Sequence, residues 1–271
     1  MPPRALWQAG GLVCAYWAML LAGFRRQAAY RLAAVTGLVT NAFFGAVRTA
    51  VFLALYRQRG QVAGMDLSDA LTYVWVLEAL FGVIWVAWFW ETAESIRSGD
   101  FVVELLRPGD LYLRLLAFDL GRSVNLLMVR AAPAIAVAAL LLPLRLPGSP
   151  AGLALFGTSL LLAAVVGFQL RLLFSAAAFW TADYRSLWGL VFPVVWLVSG
   201  FMVPVEYFPA ALRLVADASP LTALVMAPVR VASGRAVAAA LAGQLLWVAA
   251  LWLAGRFMLA VANRRLVVHG G

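Results

Sequence analysis

Few residues in this chain can do chemistry, and their kinds exclude more than they permit. Every one of the 21 basic side chains is an arginine. Without lysine there is no nucleotide-loop lysine, no Schiff base and no lysine general base. Cys14 and His269 are the only cysteine and the only histidine. That excludes an internal disulfide, a zinc site of the Cys/His kind and nucleophilic catalysis with a buried histidine base. Cys14 follows Val13, where a lipid-modification signal needs a small residue, so it reads as a small apolar helix residue. Glu91, Glu94, Asp100, Glu104, Asp110 and Asp119 fall in one stretch, alternating with arginines and without metal-ligand spacing. That mixture fits a surface gripped by a partner, or a solvated loop, better than an acid–base site.

Five other polar residues stand inside apolar runs: Arg48, Glu78, Gln169, Arg171 and Gln244. Buried charges in lipid persist when paired or when they serve a pathway. Arg48 and Glu78 each lie roughly 10–12 Å below the outer end of their segments at about 1.5 Å per residue, so antiparallel neighbours could pair them. Gln169 and Arg171 are two apart and point to different helix faces. Arg171 could snorkel to the inner surface, and Gln244 could hydrogen-bond a neighbouring helix. All three are candidate pathway contacts as well as candidate packing groups. Trp85, Trp88, Trp90 and Trp180 read as anchors at headgroup level.

The elements that position these groups must be membrane helices. The chain is 65% hydrophobic and 12% charged over 271 residues, against about 45–50% and about 25% in globular proteins. No single core could hide that much apolar surface. Runs long enough to cross a bilayer are Leu32–Tyr56, Leu71–Trp90, Val124–Leu144, Ala151–Trp180, Leu187–Val205 and Val237–Val261. Turn residues at Arg107-Pro108-Gly109-Asp110 and Pro147-Gly148-Ser149-Pro150 separate several of them. The expected fold is an all-α integral membrane protein in one unit of six spans. Residues 5–24 either span or lie on the membrane. Leu6, Trp7, Leu12, Val13, Tyr16, Trp17, Leu20 and Leu21 form one stripe, which favours an interfacial helix over residues 1–31. With both termini in the cytoplasm, about twice as many arginines fall inside as outside, the sense of the topology rule. The net charge of +9 is read the same way, with no nucleic-acid partner.

Two connections carry most of the remaining information. The cytoplasmic one, residues 91–122, has Gly99 as a helix stop, Asp100 as cap of a short helix Phe101–Leu106, and Asp110 as cap of the next. Pro108 disfavours helix at Arg107. The outer one, residues 206–235, follows Pro204 and carries Glu206 and Pro209, with two short helices expected to break at Ser219-Pro220. It reads as a segment dipping into the outer leaflet under protein cover, or as an outer lid.

The order of these features resembles the permease subunits of ABC-2 type exporters. The resemblance rests on Ile96-Arg97-Ser98-Gly99-Asp100 … Leu105-Leu106-Arg107-Pro108, similar to a bacterial branch of that family. It rests also on Pro204-x-Glu206-x-x-Pro209 and Ser219-Pro220-Leu221-Thr222 before the last span. It implies a coupling helix between spans two and three, docked on an ATPase through Glu91, Glu94, Ile96, Arg97, Gly99, Asp100, Glu104, Arg107 and Pro108. It implies a re-entrant outer hairpin bearing Pro204, Glu206, Pro209 and Pro220. It further implies two cytoplasmic ABC ATPase copies, a second permease identical or related, and a bacterial inner-membrane location. The chain itself would bind no cofactor, ATP and magnesium residing on the ATPase. Cargo would be a drug, lipid, glycolipid or polysaccharide. A lipid-processing membrane enzyme and an ATP-independent secondary transporter are the competing readings; the first needs convergent acids or a metal, the second an internal repeat, and neither is seen.

Overall fold

Helices account for nearly all of the computed structural model, which describes residues 4–84, 89–180 and 184–269. They are α1 (Arg4–Ala29), α2 (Arg31–Tyr56), α3 (Leu67–Ile84), α4 (Phe89–Ser98), α5 (Phe101–Leu106) and α6 (Leu111–Leu126). After a π-helical turn at Leu127–Ala131 follow α7 (Ala132–Leu141), α8 (Pro150–Ala176) and α9 (Tyr184–Val198). Then come α10 (Ala210–Asp217), α11 (Pro220–Ala232) and α12 (Val237–His269). No strand occurs among the described residues, in keeping with the all-α expectation.

Four stretches are long and apolar enough to cross a membrane: Leu32–Tyr56, Leu111–Leu141, Pro150–Ala176 and Val237–Val261. A fifth candidate is α10 with α11, bent by 95°. The first and last match the sequence expectation in full. The third expected span does not. Helix runs unbroken in direction from Leu111, so residues 111–122 extend that span and the connection ends at Asp110. Alternating charges hid this continuity, because Arg114, Asp119 and Arg122 find partners inside the bundle. Expected span five is cut short: α9 covers 15 residues, and the chain turns at Gly200, whose φ of +80° favours glycine. Expected span two runs past Ile84 into residues 85–88, and Trp85 and Trp88 lie outside the described residues.

α3 and α11 form the centre. Tyr73, Val74, Leu77 and Leu80 of α3 pack with Phe156, Val166 and Leu170 of α8 and with Leu224, Met226 and Val229 of α11. α11 is buried on nearly every face. By contrast α2 turns Leu32, Val35, Val39, Phe43, Phe44, Val47 and Val51 outward, as a lipid-facing helix does.

α1 has a helical partner. It lies lengthwise on α6: Tyr16 Oη accepts the Asp110 N–H at 3.0 Å near one end, and Gly23 meets Phe118 further along. A Cβ at Gly121 would overlap the Leu20 carbonyl, and one at Gly23 the Phe118 carbonyl. Two glycines thus let the backbones touch, the close approach that small residues permit between membrane helices. The hydrophobic stripe marked α1 as two-faced but could not say that its partner was a helix.

Candidate functional site

The elbow α4–α5 is built from turn chemistry. Gly99 has φ of +84° and ends α4. Asp100 does not cap α5; its carboxylate accepts the Ser98 hydroxyl at 2.7 Å and its backbone is helical. Arg107 is extended before Pro108, Gly109 has φ of +94°, and Asp110 accepts the Leu113 N–H at 3.0 Å as the cap of α6. Phe101 and Ile96 anchor the elbow from within, against Tyr112, Phe168, Leu172 and Leu259.

Its outer face is apolar and unclothed. Leu106 is 81% exposed and Val103 55%, beside the Arg107–Glu104 pair at 3.0 Å. Glu94, Arg97, Gly99, Asp100 and Pro108 are also on the surface. Sequence reasoning named the charged residues there and passed over Leu106 and Val103. The signal was present: apolar residues left over on a six-residue helix once Phe101 and Leu105 face inward. Glu91 is placed elsewhere, pairing with Arg26 of α1 at 2.9 Å.

The elbow is tied to three long helices. The Asp110 carboxylate receives the Arg256 guanidinium of α12, and its N–H reaches Tyr16 of α1. Arg114 of α6 donates to the Glu104 carbonyl. Burial alone would raise the Asp110 carboxyl, but the Leu113 N–H and Arg256 hold it below the ordinary aspartate range. Arg256, Tyr16 and Arg114 were not expected at this site; only the folded chain brings them there.

Within the bundle, Arg48 Nη1 lies 3.3 Å from Glu78 Oε1, and its guanidinium sits over the Phe201 ring. The glutamate is almost wholly buried, and Asn41 reaches its backbone carbonyl at 2.8 Å. Of the three candidate pathway residues, Gln169 donates to Tyr112 Oη and the Val248 carbonyl at 2.8 and 2.9 Å. Gln244 donates to the Ser159 and Ala223 carbonyls and accepts the Ser159 hydroxyl. Both join helices within the chain. Arg171 does not snorkel: it donates to the Val83 carbonyl at 2.8 Å and to Asp119 at 2.5 Å. Trp90 and Trp180 are part-exposed.

On the opposite side of the molecule, Arg230 joins Glu206 at 3.0 Å and Asp217 at 2.7 Å, pinning α11 to both arms of the outer connection. Pro204 and Pro209 hold extended backbone ahead of the short helices, and Pro220 opens α11 as its first residue. The break at Ser219-Pro220 stands where the sequence placed it. Among the described residues no three acids, cysteines or histidines converge as a metal would require.

The arrangement is a helical membrane unit with a rigid surface elbow and no assembled acid–base centre among the described residues. A comparison with characterised proteins and with solved structures returned no match. A family model described as ABC-2 family transporter protein matches residues 44–270, covering α3 to α12 and the second half of α2. The chain belongs to the ABC-2 family of membrane transporter proteins.

Proposed function

We propose that this chain is the permease subunit of an ATP-driven exporter and that α4–α5 is where a separate ABC ATPase docks. The observation that carries the reading is the exposed Leu106–Val103 face on an elbow tied to α1, α6 and α12. A partner gripping that face would move three long helices together, which is what converting an ATPase's closure into membrane motion requires. Family membership supports the ATPase partner, and a sequence without lysine offers no nucleotide-loop lysine, so in this reading ATP and magnesium sit on that partner.

In this reading α2, α3, α6–α7, α8, α9 and α12 are six crossings, with α10–α11 re-entering from outside. Both termini are cytoplasmic, in a bacterial inner membrane. Two ATPase copies serve a pair of permeases, identical or related, and the apolar outer faces of α2 meet lipid or that second permease. The cargo is amphipathic or hydrophobic and moves outward.

The test is affinity capture of the tagged chain from native membranes in mild detergent, with identification of bound proteins and an ATPase assay. A nucleotide-hydrolysing partner is expected with the native chain and not with Leu106→Asp. The substitution lies on an exposed position, so stability should change by less than about 0.5 kcal/mol. Capture of no ATPase by the native chain would end the proposal; equal capture by the variant would move docking away from α5.

A further inference from the structure

A cavity of about 460 Å³ opens between the α1–α2 hinge, α4, α6 and α8, within the size range of small-ligand sites, about 300–1,000 Å³. Its charged lining is Arg26, Glu91, Asp119, Arg122 and Arg171. Arg122 and Arg171 share the single carboxylate of Asp119, each at 2.5 Å, with all three side chains largely buried. The Arg26–Glu91 pair is more than half exposed and stands at the mouth. Among the described residues the lining therefore holds one guanidinium more than it holds carboxylates. Leu115, Phe118, Phe168 and Leu172 supply apolar wall, and Tyr30 at the hinge is exposed beside them.

The positive excess continues inward. Arg130 projects from the π-helical turn and lies over Gly37, one helical turn along α2 from Ala33 of the cavity wall. Its second neighbour is Gly82 of α3. A Cβ at Gly37 would overlap the guanidinium, so the place is shaped for that group. No carboxylate among the described residues pairs with Arg130, whose Nε is buried without a hydrogen-bond acceptor. A cation in lipid without a counter-ion is costly and marks an ion or substrate route.

We infer that this cavity binds the anionic headgroup of a membrane amphiphile, its apolar part against the Phe118–Phe168 wall, with Arg130 as the next contact along α2. An anion here restores the charge balance that the lining lacks, and guanidinium is the side chain best suited to phosphate or carboxylate oxygens. That the bound molecule is cargo rests on the transporter reading; that it binds does not.

The experiment titrates the purified full chain, in neutral detergent without any ATPase, with dioctanoyl phosphatidic acid, dioctanoyl phosphatidylcholine and inorganic phosphate. Phosphatidic acid should bind saturably and the zwitterionic lipid at least about tenfold more weakly, with phosphate failing to displace the first. Two variants separate binding from architecture because Arg26 and Glu91 are partners. Arg26→Gln should weaken phosphatidic acid about fivefold and Glu91→Gln should tighten it by a similar factor. If they only brace the mouth, both variants break the same pair and shift affinity the same way, which overturns the inference. So does equal binding of the two lipids, or free phosphate binding as tightly as phosphatidic acid. Failure here leaves the ATPase-capture result standing, and failure of that capture leaves this isotherm standing.

Discussion

The end of the molecule that carries α10 and α11 and the cavity beside α1 and α6 use the same side chain for different ends. At the α10–α11 end four arginines meet four acids: Arg145 with Asp66 and Asp69, Arg235 with Asp69, Arg230 with Glu206 and Asp217, and Arg213 with Asp217. Together these bonds tie the connections at this end to α3, α10 and α11, and the result is a braced cap. In the cavity Arg122 and Arg171 divide one carboxylate, and the lining's described residues are left with net positive charge. Matched ions knit connections together; an unmatched charge kept at low dielectric marks a place waiting for something negative. Side-chain identity is the same in both, and stoichiometry of partners sets the difference.

The largest expected effect comes from breaking the inner arrangement at its hinge. Asp119→Ala would strand two buried guanidiniums, a loss of about 3–5 kcal/mol for an uncompensated buried charge. It should appear as collapse of monodisperse protein in detergent and a large fall in Tm. A variant as stable as the native chain would mean that the cavity is wet enough to solvate both arginines.

Next is the Arg48–Glu78 pair, matched like the outer ones yet set within the bundle. Glu78→Ala alone should destabilise by about 2–3 kcal/mol, and the double change with Arg48→Ala by less, because the second removes the orphaned charge. Equal loss in single and double variants would show that the two residues act independently.

A smaller effect is expected at the α1–α6 seam beside the cavity. Gly121→Val places branched carbon against the Leu20 carbonyl and should cost about 1–3 kcal/mol by overpacking, read as easier proteolysis within α1. If α1 remains protected, the seam is looser than its geometry implies.

The smallest is a pH effect at the elbow. The Asp110 carboxyl is lowered, so its contribution is present above the ordinary aspartate range, about pH 4, and is lost as pH falls through its lower folded value. Asp110→Asn should therefore lower Tm by one or two degrees at pH 7, by an order-of-magnitude reckoning for a partly exposed pair. The difference from the native chain should vanish at the acid end. A difference that grows toward low pH would reverse the assigned sign.

How much could be read without coordinates differs by element. The turn at Gly99, the extended Arg107 before Pro108, the Asp110 cap and the break at Ser219-Pro220 are local events. They depend on backbone freedom and on groups three residues apart, so residue type at each position suffices. The depth match of Arg48 and Glu78 was legible as well, because helix rise converts sequence distance into height. The Asp100 cap was not: its carboxylate had a competing hydroxyl at Ser98, and propensity does not rank two local acceptors and donors. The extension of α6 through Arg122 was hidden for another reason. Charges read as solvent-facing until partners on α5 and α8 are known.

Sequence by itself determined that the chain lives in lipid, that it holds no lysine-based nucleotide site, and where several of its local turns and caps fall. Those properties follow from composition and from interactions spanning a few residues. Tertiary structure decided which charges are satisfied and which are in excess. Asp119 meets Arg171 across 52 positions, and Arg256 meets Asp110 across 146. Helical periodicity gives each residue a face and a height but not a neighbour. Partner choice depends on how helices pack, and that is settled by close approaches such as Gly23 with Phe118 and Gly121 with Leu20, visible only once the backbones meet.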